Sequence, residues 1–202
     1  MNYIKLETED ICNGDGLRVV LWLSGCDHRC KGCQNPQTWD VNSGTLFNKK
    51  VEQELFENLN KEYISGITLT GGDPLNKNNL DDLLKLISTI RLLYPMKTIW
   101  LYTGYTWEET MSEESKILHA KQLLEQNKDH RIHYIYKDQK FEYKPDHYIL
   151  RQQIISLCDI LVDGQYVDEL RDLTLKFRGS SNQRLIDIQK SLEQNEVVLW
   201  SK

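Results

Sequence analysis

Three cysteines that lie close together in the chain could hold a metal centre. Cys26, Cys30 and Cys33 form a C-x3-C-x2-C array within eight residues. Three thiolates on one tight loop can ligate three irons of a [4Fe–4S] cluster, whereas complete ligation by protein takes four cysteines. The fourth iron would then be open to a substrate. The array therefore predicts an iron–sulfur cluster with one coordination position that the protein leaves free.

A structural zinc site is the alternative for the same loop. His28 lies inside the x3 spacer and would complete a Cys3His ligand set, which is a common set for structural zinc. Its place between the first two cysteines makes it awkward for the imidazole to join the other three ligands, so we favour the cluster. The remaining thiols, Cys12 and Cys158, are predicted to be a turn residue and a buried strand residue.

A second group of residues, Thr70-Gly71-Gly72-Asp73-Pro74, could bind a small molecule. Two glycines at the end of a strand let a ligand approach the backbone closely, so that amides and carbonyls can hydrogen-bond an amino acid group. The same residues also fit a tight turn in which Asp73 caps a helix and Pro74 takes its first position. Both interpretations can hold at once, and this motif alone is weak evidence for function.

The elements around these residues predict an α/β fold. Short β-branched or aromatic runs alternate with longer segments of helical periodicity, which is typical of a parallel sheet flanked by helices. Strands are predicted at 17–24, 64–70, 98–103 and 158–163, with weaker patterns at 174–177 and 197–200. Helices are predicted at 49–60, 75–94, 107–126, 149–157 and 182–194. Five or six βα units give a partial, open (β/α)6-type barrel in a single domain, 1–202, whose ligands bind at the carboxyl ends of the strands.

Composition and charge exclude several classes of protein. The 202 residues carry 25 Lys and Arg against 30 Asp and Glu, a formal net charge of −5, which argues against binding nucleic acid by bulk charge or anionic lipid by a polybasic patch. No apolar run approaches the ~18–20 residues of a membrane span, and the start, MNYIKLETED, is acidic, unlike a secretory signal. The chain has five cysteines, an odd number, and three of them are clustered, which argues against a disulfide framework. We expect a soluble, cytoplasmic protein with no nucleic acid or membrane partner.

Six motifs, in the same order, give the chain a resemblance to a known family. They are NGDGLRVVLWLSGC (13–26), CxNPxTWDVNSG (33–44), LTGGDP (69–74), YTGY (102–105), LVDGQYV (161–167) and RGSSNQR (178–184). Together they resemble the radical S-adenosylmethionine enzymes, and within them the activating-protein family of anaerobic (class III) ribonucleoside-triphosphate reductase. Two features depart from the pattern. Gly32 stands where the common radical S-adenosylmethionine motif has an aromatic residue, and the segment at about 117–150 is longer than in compact members.

The resemblance implies a role for each matching residue. Cys26, Cys30 and Cys33 would ligate the cluster, and the methionyl amine and carboxylate of S-adenosylmethionine would chelate the open iron. The methionyl ammonium would be met by Gly71, Gly72 and Asp73, since carboxylate and carbonyl oxygens suit a cation.

The resemblance also implies contacts around the rest of the cofactor. Asn35 would contact the nucleoside, and Thr103 and Asp163 would line the ribose and carboxylate side, unless the last two only cap turns. Residues 178–183 would contact cofactor or partner, or start a helix capped by Ser181.

The activity implied by the resemblance is that of a glycyl-radical-enzyme activase. The reduced [4Fe–4S] cluster would cleave S-adenosylmethionine to methionine and a 5′-deoxyadenosyl radical, which would take a hydrogen atom from a glycine of the reductase. Reduced flavodoxin or a similar protein would be the electron donor. An activase of another glycyl radical enzyme, such as pyruvate formate-lyase, is the nearest alternative, and RGSSNQR (178–184) favours the reductase. A non-catalytic zinc-binding module is the alternative from a different class.

Overall fold

A single mixed sheet organises the part of the chain that the structure, a computed structural model, describes, residues 1–111 and 146–201. Its seven strands, in chain order, are β1 (Asn2–Asp10), β2 (Arg18–Leu23), β3 (Thr45–Leu46), β4 (Gly66–Gly71), β5 (Thr98–Tyr102), β6 (Ile160–Asp163) and β7 (Arg184–Asp187). They lie in the order β3-β1-β2-β4-β5-β6-β7. The central strands β2, β4, β5 and β6 are parallel, while β1, β3 and β7 pair antiparallel at the two sides.

Helices connect and flank the parallel strands. Those in the described residues are α1 (Lys49–Leu59), α2 (Leu80–Leu93), α3 (Trp107–Met111), α4 (His147–Ser156) and α5 (Ile188–Gln194). Asn48 caps α1 by accepting hydrogen bonds from the amides of Lys50 and Val51, which satisfies two of the donors that a helix start leaves free. Of the helices in these ranges, none is both long enough and apolar enough to cross a membrane.

The core lies on both faces of the central strands. All six β2 residues except Trp22 are buried, as expected for a parallel strand that is covered on both sides. One face packs against the helices in a large aliphatic cluster that includes Leu69 and Leu101. The other face carries a smaller cluster around Trp100 and Val162, against which Phe177 packs. Each parallel strand is therefore fixed in position and delivers its carboxyl end to one edge of the sheet.

The structure confirms the α/β class and corrects the strand inventory. Within residues 1–111 and 146–201 the sheet is mixed and open, with β3 and β7 at its edges, and it does not close into a barrel. Strand β1 was missing from the prediction, and residues 174–177 form no strand. The predicted helix at 182–194 is divided into β7 and α5, because Leu185 and Ile186 extend the sheet beyond β6. At 197–200 only an isolated bridge, from Leu199 to Ile186, is formed.

The start of one predicted helix also changes. Helix α2 begins at Leu80 and not at residue 75, because Asp73 and Asn76 bind nearby backbone amides and hold residues 73–79 in successive turns. Such local side-chain bonds compete with helix formation. The predicted helix at 107–126 is described only as far as Met111. The longer segment at about 117–150 lies outside the described residues except for its last five.

Truncation of Leu69 in β4 should destabilise the fold strongly. Leu69 is fully buried in the aliphatic cluster, so Leu69→Ala should lower the free energy of unfolding by about 2–5 kcal/mol through lost burial and a cavity. Leu92 on α2 is 79% exposed, and Leu92→Ala should change it by less than about 0.5 kcal/mol. Urea titration followed by circular dichroism measures both. Equal effects of the two substitutions would contradict the assigned core.

Candidate iron–sulfur and cofactor site

The loop that carries the three cysteines follows β2 directly and is anchored at its start. The amide of Gly25 donates to the carbonyl of Thr38 at 2.7 Å, and the amide of Cys26 donates to Trp39 at 3.0 Å. The carbonyl of Gly25 accepts from the amide of Asp73 at 2.7 Å. The first cysteine is therefore fixed between the turn at Pro36–Thr38 and the end of β4.

All three thiols are free, partly buried and line one cavity of about 420 Å³, a volume within the range of small-molecule sites. Backbone hydrogen bonds also reach these sulfurs. Those from His28 and Arg29 lower the pKa of Cys26, and one from Tyr166 lowers the pKa of Cys30. The amide of Asn35 donates to Cys33 Sγ at 3.4 Å. Hydrogen bonds to cysteine sulfur stabilise thiolate ligands and set the reduction potential of a bound cluster.

Burial works in the opposite direction on these thiols. It raises the pKa of Cys26 to about 11 and also raises the pKa of Cys30. Without a metal the two groups therefore hold their protons at neutral pH. A bound metal ion replaces such protons, because its charge stabilises the thiolate.

The structure brings most of the predicted cofactor residues to this cavity. Besides the three cysteines, the lining includes Asn35, Gly71, Gly72 and Thr103. They meet because β2, β4 and β5 are parallel and end at the same edge of the sheet. Asp73 and Asp163 are not among the lining residues.

Asp73 is a buried acceptor whose oxygens are already engaged. Its side chain is 2% exposed. Oδ1 accepts from the amide of Leu75 at 2.8 Å and from Thr103 Oγ1 at 2.9 Å, and Oδ2 accepts from the amide of Gly104 at 3.1 Å. His28 Nε2 lies 2.7 Å from Oδ2. Asp73 therefore joins the ends of β4 and β5 to the cysteine loop, and it acts on the cavity by positioning Thr103.

His28 is bound on the Asp73 side of the loop. Its ring packs edge-on against Tyr105, with 4.6 Å between the ring centroids and 73° between the planes. Burial lowers the pKa of His28, but the hydrogen bond and the charge of Asp73 outweigh this and raise it overall. Since Nε2 is held by a carboxylate, that nitrogen is not available to the Cys3His zinc set considered above.

Asp163 is part of an ion-pair network behind the cavity. It accepts from Arg184 Nε at 3.1 Å and from the amide of Trp107 at 2.9 Å. Arg184 also bonds Glu108, at 2.7 Å from Nη2 to Oε2, and this hydrogen bond lowers the pKa of Glu108. The two carboxylates raise the pKa of Arg184. Through the amide of Trp107, Asp163 also holds the start of α3.

Replacing Arg184 by methionine should lower the free energy of unfolding, because the buried carboxylate of Asp163 loses its ion-pair partner. The side chain of Asp163 is 1% exposed, so Arg184→Met would leave a buried charge without its partner. Because Arg184 is itself partly exposed, we expect a loss of about 2–4 kcal/mol in the free energy of unfolding. Lys49→Met breaks the exposed Lys49–Glu52 pair and should cost less than about 0.5 kcal/mol. Thermal unfolding of the two variants checks this, and comparable shifts in both would contradict it.

The glycines at 71 and 72 are required by close backbone packing. A Cβ on Gly71, which has φ +107°, would lie 2.5 Å from the carbonyl oxygen of Leu23. A Cβ on Gly72 would lie 2.5 Å from the carbonyl oxygen of Gly25. Sequence reasoning explained these glycines by the approach of a ligand or by a tight turn. In the structure they also let the end of β4 lie against the start of the cysteine loop.

Gly32, where the motif that this chain resembles has an aromatic residue, lies against the loop after β6. Its φ is +72°, and a Cβ there would lie 2.7 Å from Asp168 Oδ1. Lys31 next to it bonds Glu169 at 2.9 Å. The turn at Asp168–Leu170 thus covers the cysteine loop at the position of the missing aromatic ring.

The RGSSNQR motif (178–184) forms a second wall of the cavity. Gln183 accepts from the amide of Gly179 at 2.9 Å and donates to the carbonyl of Gly164 at 3.1 Å. Arg178 and Gln183 line the cavity, as do Gln165 and Tyr166. No helix starts at Ser181; strand β7 follows instead. Sequence reasoning did not place Gln165 and Tyr166, although the LVDGQYV motif contains them.

The donors of this cavity fit an iron–sulfur cluster and a polar cofactor. Three free thiols supply the soft ligands that clusters require. Two further donors, Trp39 Nε1 and Arg178 Nε, are buried without a hydrogen-bond partner in the described residues, and both residues line the cavity. Buried donors are normally paired. Acceptors on a group bound in the cavity would pair these two donors.

Comparisons with known proteins agree with the site. A family model described as a 4Fe-4S single cluster domain matches residues 12–130 and 119–186. The anaerobic ribonucleoside-triphosphate reductase-activating protein of Escherichia coli strain K12 is 39% identical over 185 residues, covering 91% of this chain and 96% of that protein. Its namesake from Enterobacteria phage T4 is 36% identical, over 92% and 93%, and that from Pasteurella multocida is 32% identical, over 91% and 95%.

Identity of this extent, across almost the whole of both chains, identifies the family. The family so identified is the one that the cysteine array, the glycine turn after β4 and the RGSSNQR motif resemble. The chain belongs to the family of anaerobic ribonucleoside-triphosphate reductase-activating proteins, and it contains a 4Fe-4S single cluster domain.

Proposed function

We propose that this chain activates an anaerobic ribonucleoside-triphosphate reductase by generating a glycyl radical on it. The observation that carries the proposal is the convergence of three free thiols, Gly71, Gly72 and Thr103 on one cavity. Membership of the activating-protein family supports the choice of partner. When bound, a reduced [4Fe–4S] cluster would supply one electron to split S-adenosylmethionine into methionine and a 5′-deoxyadenosyl radical, which would take a hydrogen atom from a glycine of the reductase.

The protein's own residues would hold and tune the bound groups. Cys26, Cys30 and Cys33 would ligate three irons, and the backbone amides on their sulfurs would favour the reduced cluster. The backbone of Gly71 and Gly72 would hydrogen-bond the methionyl amine. A hydrogen atom and not a proton is transferred, so the proposal requires no general acid or base.

Other cavity residues would hold the nucleoside and exclude water. Asn35 and Thr103 offer side-chain oxygens to the nucleoside. Asp73 would hold Thr103 in place from behind. Enclosure matters because a primary alkyl radical attacks most C–H bonds that it meets, so the glycine of the partner should be the only one within reach.

The open sheet is proposed to be the partial barrel of the radical S-adenosylmethionine kind, in one activase domain spanning 1–202. Support comes from the four parallel strands β2, β4, β5 and β6, whose carboxyl ends lead into cavity residues. Ligands of α/β sheets bind at this edge. A one-electron donor such as reduced flavodoxin is proposed from the family resemblance.

Anaerobic reconstitution of the full chain tests the chemistry. We expect about four irons and four sulfides per chain, with methionine and 5′-deoxyadenosine formed when dithionite and S-adenosylmethionine are added. One tightly bound zinc with no cleavage would support the zinc-binding module instead and would overturn the proposal.

The identity of the partner needs a separate comparison. Reconstituted protein should generate a glycyl radical on an anaerobic ribonucleoside-triphosphate reductase and leave pyruvate formate-lyase unmodified. Activation of the lyase alone would assign the chain to the other class of activase.

A further inference from the structure

Arg178 places a positive charge inside the cavity. Among the described residues that line it, Arg178 is the only one with a permanent positive charge. Arg91 and Arg184 each bond an aspartate, Arg91 at 2.6 Å. Arg178 has no such ion pair within the described ranges: its Nη1 donates to the carbonyl of Gln183 at 2.9 Å, and its buried Nε has no acceptor. A cation in this state lacks an anionic partner.

The one carboxylate among the described lining residues is not an ion-pair partner of Arg178. Asp172 also lines the cavity, but its Oδ1 accepts from the amide and the hydroxyl of Thr174, at 2.8 and 2.7 Å. Its charge reaches Arg178 only through space. The guanidinium thus keeps donors available for a group that enters the cavity.

The backbone holds Arg178 rigidly in this position. Phe177 has φ +61°, a conformation that non-glycine residues adopt only when their surroundings enforce it. Its ring packs edge-on against Trp100, with 5.3 Å between centroids, and its carbonyl accepts from Tyr102 OH at 2.7 Å. Strained residues of this kind cluster at active sites and ligand clamps.

We propose that Arg178 binds a carboxylate inside the cavity, and that this is the methionyl carboxylate of S-adenosylmethionine. The cofactor carries two cations, the sulfonium and the ammonium, and its carboxylate is its only anion. A carboxylate has two oxygens, so one remains for a guanidinium if the other is coordinated to iron. This inference rests on the proposed function. An acidic side chain of the reductase has the same chemistry, and the test below separates the two sources.

The test compares two ligands on the reconstituted protein, without reductase or reductant. Dissociation constants are measured for S-adenosylmethionine and for decarboxylated S-adenosylmethionine, with wild type and Arg178→Met. We expect Arg178→Met to raise the dissociation constant of S-adenosylmethionine by about 10- to 100-fold and to leave that of the decarboxylated ligand unchanged. The iron content should stay that of wild type. Damage to the loop alone would weaken both ligands equally, and that result would overturn the inference.

Two further variants sharpen the comparison. Arg171 is exposed on the same loop and does not line the cavity, so Arg171→Met should bind both ligands as wild type does. Arg178→Lys keeps the charge but loses the planar guanidinium. Its dissociation constant for S-adenosylmethionine should lie between those of wild type and Arg178→Met, and its dissociation constant for the decarboxylated ligand should equal that of wild type.

The remaining outcomes are also decisive. Unchanged S-adenosylmethionine binding by Arg178→Met, with glycyl radical formation on the reductase lost, would assign Arg178 to a carboxylate of the partner and overturn the cofactor assignment. If wild type itself fails to bind S-adenosylmethionine, the proposed function fails, and the inference fails with it. If wild type binds and Arg178→Met behaves identically in every assay, the inference alone is wrong.

Discussion

Replacing Cys30 by alanine should abolish cleavage of S-adenosylmethionine while leaving the protein folded. Cys30 lies on a loop outside both apolar clusters, so Cys30→Ala should change the free energy of unfolding of the metal-free chain by less than about 1 kcal/mol. Loss of a residue that hydrogen-bonds a metal ligand already lowers metal affinity or activity by about 10- to 100-fold. Loss of a ligand itself should therefore lower cleavage by at least about 100-fold. Iron content and 5′-deoxyadenosine formation measure the effect.

Cys12 provides the matched control for this prediction. It also lines the cavity, but it is exposed, and its amide is held by Asp10 Oδ1 at 2.9 Å, in a turn far from the array in sequence. Cys12→Ser should keep the iron content and the cleavage of wild type. If Cys12→Ser lost the cluster as Cys30→Ala does, the protein would supply a fourth ligand, and the open iron position would be refuted.

Removal of the Asp73 carboxylate should have the largest effect on stability and on the site together. Asp73→Ala leaves the amides of Leu75 and Gly104 and the hydroxyl of Thr103 without their acceptor in a buried place. Loss of a buried, multiply bonded charge typically costs about 3–5 kcal/mol. We expect a decrease of this size in the free energy of unfolding, because the ends of β4 and β5 lose their link.

The control and the conservative variant separate charge from hydrogen bonding. Asp40 is exposed, and among the described residues its carboxylate accepts only from Asn42 in its own turn, so Asp40→Ala should cost about 0.5–1 kcal/mol. Asp73→Asn keeps one carbonyl oxygen and should fall between Asp73→Ala and wild type. Chemical denaturation of the metal-free proteins gives the three values. If Asp73→Ala lowered the free energy of unfolding no more than Asp40→Ala, the Asp73 carboxylate would not join the ends of β4 and β5.

The central part of the fold could be predicted from the sequence because local and global preferences agree there. Strands β2, β4, β5 and β6 are short apolar runs that are buried on both faces, and each follows a turn or a helical segment. For the same reason the sequence predicted which strand ends come together. The predicted cysteine array, glycine turn and Thr103 therefore line one cavity.

The edges of the sheet could not be predicted as well, because their pairing is decided by neighbours. Strand β1 alternates apolar and polar residues and is only half-buried, so it lacks the apolar run that marks the central strands, although its alternation was a usable signal. Strand β7 has four residues and continues into α5. Its apolar residues fit a helix equally well, and the free edge of β6 decides for a strand.

The details of the site that remained hidden depend on contacts between distant residues. The sequence could not show that the carboxylates of Asp73 and Asp163 accept hydrogen bonds from other elements, namely from Thr103 and Arg184 respectively. Those partners lie 30 and 21 positions away along the chain. No local pattern reports such pairing. The same holds for Arg178, whose place in the cavity is set by the strained backbone at Phe177.

Electron paramagnetic resonance on the complete system tests the central claim most directly. The reconstituted protein, dithionite, S-adenosylmethionine and the cognate reductase are mixed without oxygen, and the spectrum of the reductase is recorded. We predict a glycine-centred doublet with wild type and none with Cys30→Ala. Formation of methionine and 5′-deoxyadenosine without a doublet on the reductase would show that the chain cleaves the cofactor for another purpose, and would contradict its assignment as the activase of this enzyme.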